Sequence, residues 1–120
     1  MNTDTQITKA IGAHGMWKSR LLSAISTGRL DTPVTTIERD DECDFGKFLH
    51  GPDLDAGEHA SADYKKVRDL HAEFHKIAAE VARLAQTGRA ADARTMVDNG
   101  RYATASGALT SAMMDWKRHL

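Results

Sequence analysis

The chain has 120 residues and a formal net charge of -1, from 16 Lys+Arg against 17 Asp+Glu. That length holds one domain, residues 1–120, and the even charge balance excludes the clustered basic excess of a nucleic-acid binder. Hydrophobic residues at 41% and charged residues at 28% exclude wholesale disorder, and no run approaches the ~20 apolar residues of a membrane span.

The elements read as helices, because Ala and long polar side chains dominate and strand-rich runs are missing. The first helix is predicted over about residues 5–27, with Thr3 and Gln6 as a capping box. Ile7, Ile11, His14, Leu21 and Ile25 form its inner seam, with Lys18 in one slot of that seam and Trp17 covering the same level from the side. Gly28 ends it. Residues 29–39 read as a linker, since Asp31-Thr32-Pro33 and the β-branched run Val34-Thr35-Thr36-Ile37 disfavour a helix. Asp40 or Asp41 would cap a short helix over about 42–49, ended by His50-Gly51-Pro52. Residues 51–60 read as loop.

The second long helix is predicted over about 61–87. Tyr64, Val67, His71, Phe74, Ala78, Val81 and Ala85 mark its buried stripe, widened by Leu70, Ile77 and Leu84. After Gly88 come a short helix over 90–98, an Asn99-Gly100 turn and a last helix over about 101–119. Tyr102, Ser106, Leu109, Met113, Trp116 and Leu120 share one face of that last helix. The likeness of residues 25–29 to 85–89 reflects shared stop chemistry at two helix exits. The fold class is therefore all-α: a helical bundle resembling a four-helix bundle, with a short extra helix that carries a cysteine. The broad, Ala-rich stripes suit a homodimer.

Six histidines and one cysteine hold the chemistry. One cysteine excludes an internal disulfide framework and suits a reducing compartment; with no signal-peptide h-region in the first twenty residues, the expected location is the cytoplasm. His71-Ala72-Glu73-Phe74-His75 places two imidazoles one turn apart on one helix face, and His71 lies on the apolar seam, so the pair points inward. With Ala72 after the first histidine, the motif lacks the catalytic Glu of a zincin. His14 lies on the seam of the first helix. Cys43 is flanked by Asp41, Glu42 and Asp44, which would destabilise a thiolate unless a cation stood beside it.

His14, Cys43, His71 and His75 make a three-nitrogen, one-sulfur set that zinc takes tetrahedrally. Copper(II) or iron would use the nitrogens, but a four-ligand N/S set without Met points first to Zn2+. Four protein donors leave no open position for substrate, so the chain reads as no enzyme. Asp40, Asp41 and Glu73 are the carboxylates expected to orient imidazoles around that set or to offset its remaining charge, with Trp17 packed beside them. His50, His59 and His119 read as solvated, and Trp17, Trp116 and Met113-Met114 as core or dimer contacts.

His14-x-x-Trp17, then Cys43-Asp44-Phe45-Gly46-Lys47-Phe48-Leu49, then His71-x-x-x-His75 resembles the chemoreceptor zinc-binding (CZB) domain across essentially the whole chain. That family usually has Trp where Phe48 stands, a change in packing beside the site. The resemblance implies a cytosolic zinc-binding sensor domain, a helical bundle and a homodimer. It implies His14, Cys43, His71 and His75 as ligands, and a chemoreceptor or diguanylate cyclase signalling module as partner, in cis or in trans. Zinc level or hypochlorous acid is the implied input, with Cys43 as the redox-reactive group. Neither nucleic acid nor membrane insertion is expected. Two other readings remain open. A hemerythrin-like di-iron bundle would draw on His59-x-x-x-Asp63 together with His71-x-x-x-His75, although no histidine lies between 75 and 119. A plain helical dimerisation module would leave the histidines incidental.

Overall fold

The computed structural model describes residues 3–30 and 32–120; Asp31, part of the predicted linker, lies outside them. Among the described residues there are seven helices: α1 (Thr3–Thr27), α2 (Val34–Glu38), α3 (Asp44–His50), α4 (Ala56–Ala60), α5 (Ala62–Gln86), α6 (Ala90–Asp98) and α7 (Arg101–Arg118). There are no strands among these residues, and the bundle measures 46 × 24 × 19 Å.

The four longer helices make the body. α5 and α7 run antiparallel, because Tyr64 meets Trp116 at one end and Phe74 meets Tyr102 towards the other. α1 packs on α5, α6 and α7. The stop chemistry behaves as the sequence predicts: Gly28 (φ 71°) and Gly88 (φ 80°) end α1 and α5 in the left-handed region that glycine adopts at least cost. Ser61 caps α5 by accepting the Tyr64 N–H at 3.1 Å.

The buried stripe of α5 contains Tyr64, Val67, His71, Phe74, Ala78, Val81 and Ala85 as predicted; of the residues expected to widen it, Ile77 is buried and Leu70 and Leu84 are half-buried. On α1 the seam shifts: Ile7, His14 and Leu21 are buried with Ala10 and Ala24, Ile11 and Ile25 are half-buried, and Lys18 faces solvent. Small alanines let α1 approach its neighbours closely, and the shift relieves the core of a lysine. On α7, Tyr102, Leu109, Met113 and Trp116 are buried with Ala105 and Ala112, whereas Leu120 is exposed.

Three short elements differ from the sequence reading. The predicted linker contains α2, opened by Pro33, whose carbonyl accepts the Thr36 and Ile37 N–H groups at 3.0 and 3.1 Å. Helix propensity costs β-branched residues only a few tenths of a kcal/mol each, whereas fully burying an isoleucine returns about 1.5–3 kcal/mol; Ile37 is buried. The predicted loop contains α4, capped by the Asp55 carboxylate on the Glu58 N–H at 2.8 Å. Finally, Cys43 does not lie within the short helix. It is the N-cap of α3, and its sulfur accepts the Gly46 N–H at 3.3 Å.

Candidate metal centre

α1 and α5 bring three imidazoles together from their apolar seams, and the N-terminus of α3 brings a sulfur. His14, His71 and His75 are buried and Cys43 is half-buried. His71 Nε2 stands 3.1 Å from His14 Nε2 and 3.1 Å from His75 Nε2. Cys43 Sγ stands 3.4 Å from His71 Nε2 and 3.6 Å from His75 Nε2. The four donor atoms all lie within 4.8 Å of one another. A tetrahedron with nitrogen arms of ~2.0–2.1 Å and a sulfur arm of ~2.3 Å has edges of about 3.3–3.6 Å, close to the separations of His71 Nε2 and His75 Nε2 from their neighbours in the cluster.

The outer ring nitrogens fix how the inner ones are presented. His14 Nδ1 donates to the Ala10 carbonyl at 2.7 Å, and His75 Nδ1 donates to the Ile37 carbonyl at 2.9 Å. A carbonyl only accepts, so the proton sits on Nδ1 in both rings and each Nε2 turns a lone pair inward. His71 Nε2 faces both lone pairs, and His71 Nδ1 is buried with no hydrogen-bond partner. One proton on His71 can serve only one neighbour at a time. A cation serves every donor at once.

Burial sets the protonation states. It lowers the His14 pKa to about 4 and the His71 pKa to about 2 against an ordinary 6.5, and it lowers that of His75 as well. At neutral pH all three imidazoles are therefore neutral and able to donate electron pairs. Burial pushes the Cys43 thiol up, and the Gly46 N–H works against that rise. A neighbouring cation is the strongest stabiliser a thiolate there could have.

The orienting groups differ from those named from the sequence. Glu73 is exposed on the outer face of α5. Asp41 is engaged by Arg39, at 3.0 Å to each carboxylate oxygen. Asp40 faces His50 Nε2 at 3.3 Å and acts on His75 through its charge alone. Trp17 is half-buried under the Arg20 guanidinium, 3.9 Å from the ring centroid. Main-chain carbonyls take the role expected of carboxylates: the carbonyl one turn back in α1, and the carbonyl of Ile37 in α2, a helix the sequence did not announce.

The other histidines stay apart. His50 and His119 are exposed, with His119 Nδ1 2.8 Å from Asp63, and the half-buried His59 packs on the Tyr64 ring. Asp63 and His59 thus lie outside the cluster, which contains no carboxylate among the described residues. A di-iron centre bridged by carboxylates does not fit this donor set.

A groove of about 710 Å³ between α1 and α3 is lined by His14 and Cys43 together with Trp17, Phe45 and Phe48. It gives the sulfur a route to solvent. No helix among the described residues is long and apolar enough to cross a membrane.

Residues 14–82 match the family model of the chemoreceptor zinc-binding domain. The match begins at His14 and takes in Cys43, His71 and His75. No curated protein and no solved structure matches the chain significantly.

Proposed function

The chain belongs to the chemoreceptor zinc-binding domain family, and we propose that it is a zinc-dependent sensory module in which His14, Cys43, His71 and His75 hold the ion. The observation that carries this reading is the convergence of four donor atoms within 4.8 Å of one another in a buried place. Two of those nitrogens have their lone pairs committed inward by main-chain acceptors. Bound zinc would supply positive charge that keeps the Cys43 sulfur as a thiolate. The set is complete with four protein donors, so a sensory or structural role suits it better than hydrolysis.

Zinc level and hypochlorous acid are the two inputs that suit such a site. The thiolate and the oxidant react as R–S⁻ + HOCl → R–SOH + Cl⁻. Sulfur loses two electrons, chlorine gains two, and the oxidant's oxygen ends on sulfur. Cys43 is half-buried and lines the groove between α1 and α3, which supports its access to a small oxidant. A sulfenic acid is neutral and a poorer donor than the thiolate, so the N-terminus of α3 would lose its hold on His71 and His75. Output would pass to a chemoreceptor or diguanylate cyclase module in cis or in trans, with the domain acting in the cytoplasm as a homodimer. Those assignments rest on the family.

Metal analysis of tag-free protein tests the reading. The expected result is one zinc per chain, a lower affinity in Cys43→Ser, and an oxidant-triggered release of zinc that Cys43→Ser abolishes. Absence of zinc from the native chain, or full affinity and an unchanged oxidant response in Cys43→Ser, would overturn it.

A further inference from the structure

α3 meets α5 at both of its ends. At its N-terminus, Cys43 Sγ approaches His71 and His75. At its C-terminus, the Tyr64 hydroxyl donates to the Leu49 carbonyl at 2.8 Å in a buried place. Leu49 lies in the last turn of a seven-residue helix, where carbonyls have no partner within the helix. Its neighbour Phe48 gives its carbonyl to the Gly51 N–H at 3.3 Å. The phenol therefore closes the end of the helix that carries the sulfur.

The lengths agree. Six residues of helical rise from Cys43 to Leu49 cover about 9 Å, and seven from Tyr64 to His71 cover about 10.5 Å. The two contacts run in opposite chain directions, so α3 reaches α5 at Tyr64 from Leu49 and at the histidine pair from Cys43, while its body packs on α1. The Tyr64 ring is itself fixed, 6.0 Å from the Trp116 centroid and 4.8 Å from that of His59.

We propose that Tyr64 is a positioning residue for the metal site: its hydroxyl sets the register of α3 along α5 and so holds the Cys43 sulfur against His71 and His75. The proposal rests on the zinc-site reading above. Tyr64 touches no donor atom of the cluster and acts only through the Leu49 carbonyl.

Zinc affinity measured by chelator competition in the native chain, Tyr64→Phe, Cys43→Ser and the double variant tests it. Phe keeps the ring packing and removes the hydroxyl alone. One buried hydrogen bond is worth about 1 kcal/mol, so Tyr64→Phe should weaken zinc about fivefold. In the Cys43→Ser background the same change should cost less than twofold, because there is no sulfur left to position. A second readout is alkylation of Cys43 in the zinc-loaded protein, which should run several-fold faster in Tyr64→Phe. Native-like affinity in Tyr64→Phe, equal losses in both backgrounds, or equal alkylation rates would overturn the proposal; equal losses would mean that the hydroxyl supports the fold in general. A native chain that took up no zinc would instead sink the metal-site reading, and the positioning role with it.

Discussion

His14 and His75 each present one nitrogen to a carbonyl and the other to the cluster, whereas His71 has nothing at Nδ1. In metal-free protein, the single proton of His71 is best placed on Nε2, where either His14 or His75 can accept it. With zinc on Nε2 it must move to Nδ1. Nitrogen-15 NMR of the imidazoles should therefore show Nδ1–H tautomers for His14 and His75 with and without zinc, and a change from Nε2–H to Nδ1–H for His71 on loading. A His71 tautomer that stays the same would contradict this. Burial has a second consequence. An unfolded histidine takes a proton near pH 6.5, but folded His14 resists until about pH 4 and His71 until about pH 2. Below pH 6.5 the unfolded chain binds more protons, so acid favours unfolding. Denaturant midpoints of metal-free protein should be flat above about pH 7 and fall steadily from pH 6.5 towards 4. A flat profile across that window would show that the imidazoles are not held neutral. The clustered residues were legible because HxxxH on an apolar seam, a histidine among isoleucines and a lone cysteine among acids are patterns of residue type. Their main-chain acceptors were not, because a carbonyl carries no residue identity.

Placement of the sulfur belongs to the short helices. α3 approaches residue 40 so closely that a Cβ built on Gly46 would collide with the Asp40 carbonyl. Backbone on backbone leaves no flexible atom to give way. Gly46→Ala should destabilise the chain by about 1–3 kcal/mol, the usual range for overpacking, and should displace α3 so that zinc affinity falls at least as far as in Cys43→Ser. Denaturation and chelator competition on that variant check both effects; native affinity would mean that α3 is free to shift without moving Cys43. The long helices were readable from the sequence to within two residues at either end, because the amphipathic period marks all three and glycine stops end α1 and α5; the capping box of Thr3 and Gln6 was not, since Thr3 already lies within α1. α2 was not, since its five residues are helical for the burial of Ile37 rather than by propensity. α4 did carry a signal: Asp55 with Glu58 three residues on is a capping pattern inside a segment whose glycines and proline read as loop. Cys43 falls on the cap rather than in the helix: α3 starts at Asp44, and the Cys43 sulfur accepts the Gly46 N–H in place of the Asp40 or Asp41 cap expected for a helix starting at 42.

At the scale of the whole molecule, the body of the bundle and the site are one construction. α1 and α5 hold the histidines on the seams that build the core, so the same packing of Ile7, Leu21, Val67 and Phe74 that folds the chain also sets the imidazole separations. α6 and α7 lie beyond the matched residues 14–82 and cover the other flanks of α5 and α1. The all-α class and the inward histidines could be read from sequence because both follow from periodicity, whereas Cys43 joined them through its acidic neighbours and the family resemblance. The way the 34–50 segment folds over α5 could not, since it depends on long-range contacts with Tyr64, His71, His75 and Arg83. X-ray absorption at the zinc edge of the loaded protein tests the central claim most directly. The account predicts a single four-coordinate zinc per chain with three nitrogen neighbours and one sulfur at ~2.3 Å. A zinc shell with no sulfur, or one unchanged by Cys43→Ser, would contradict it.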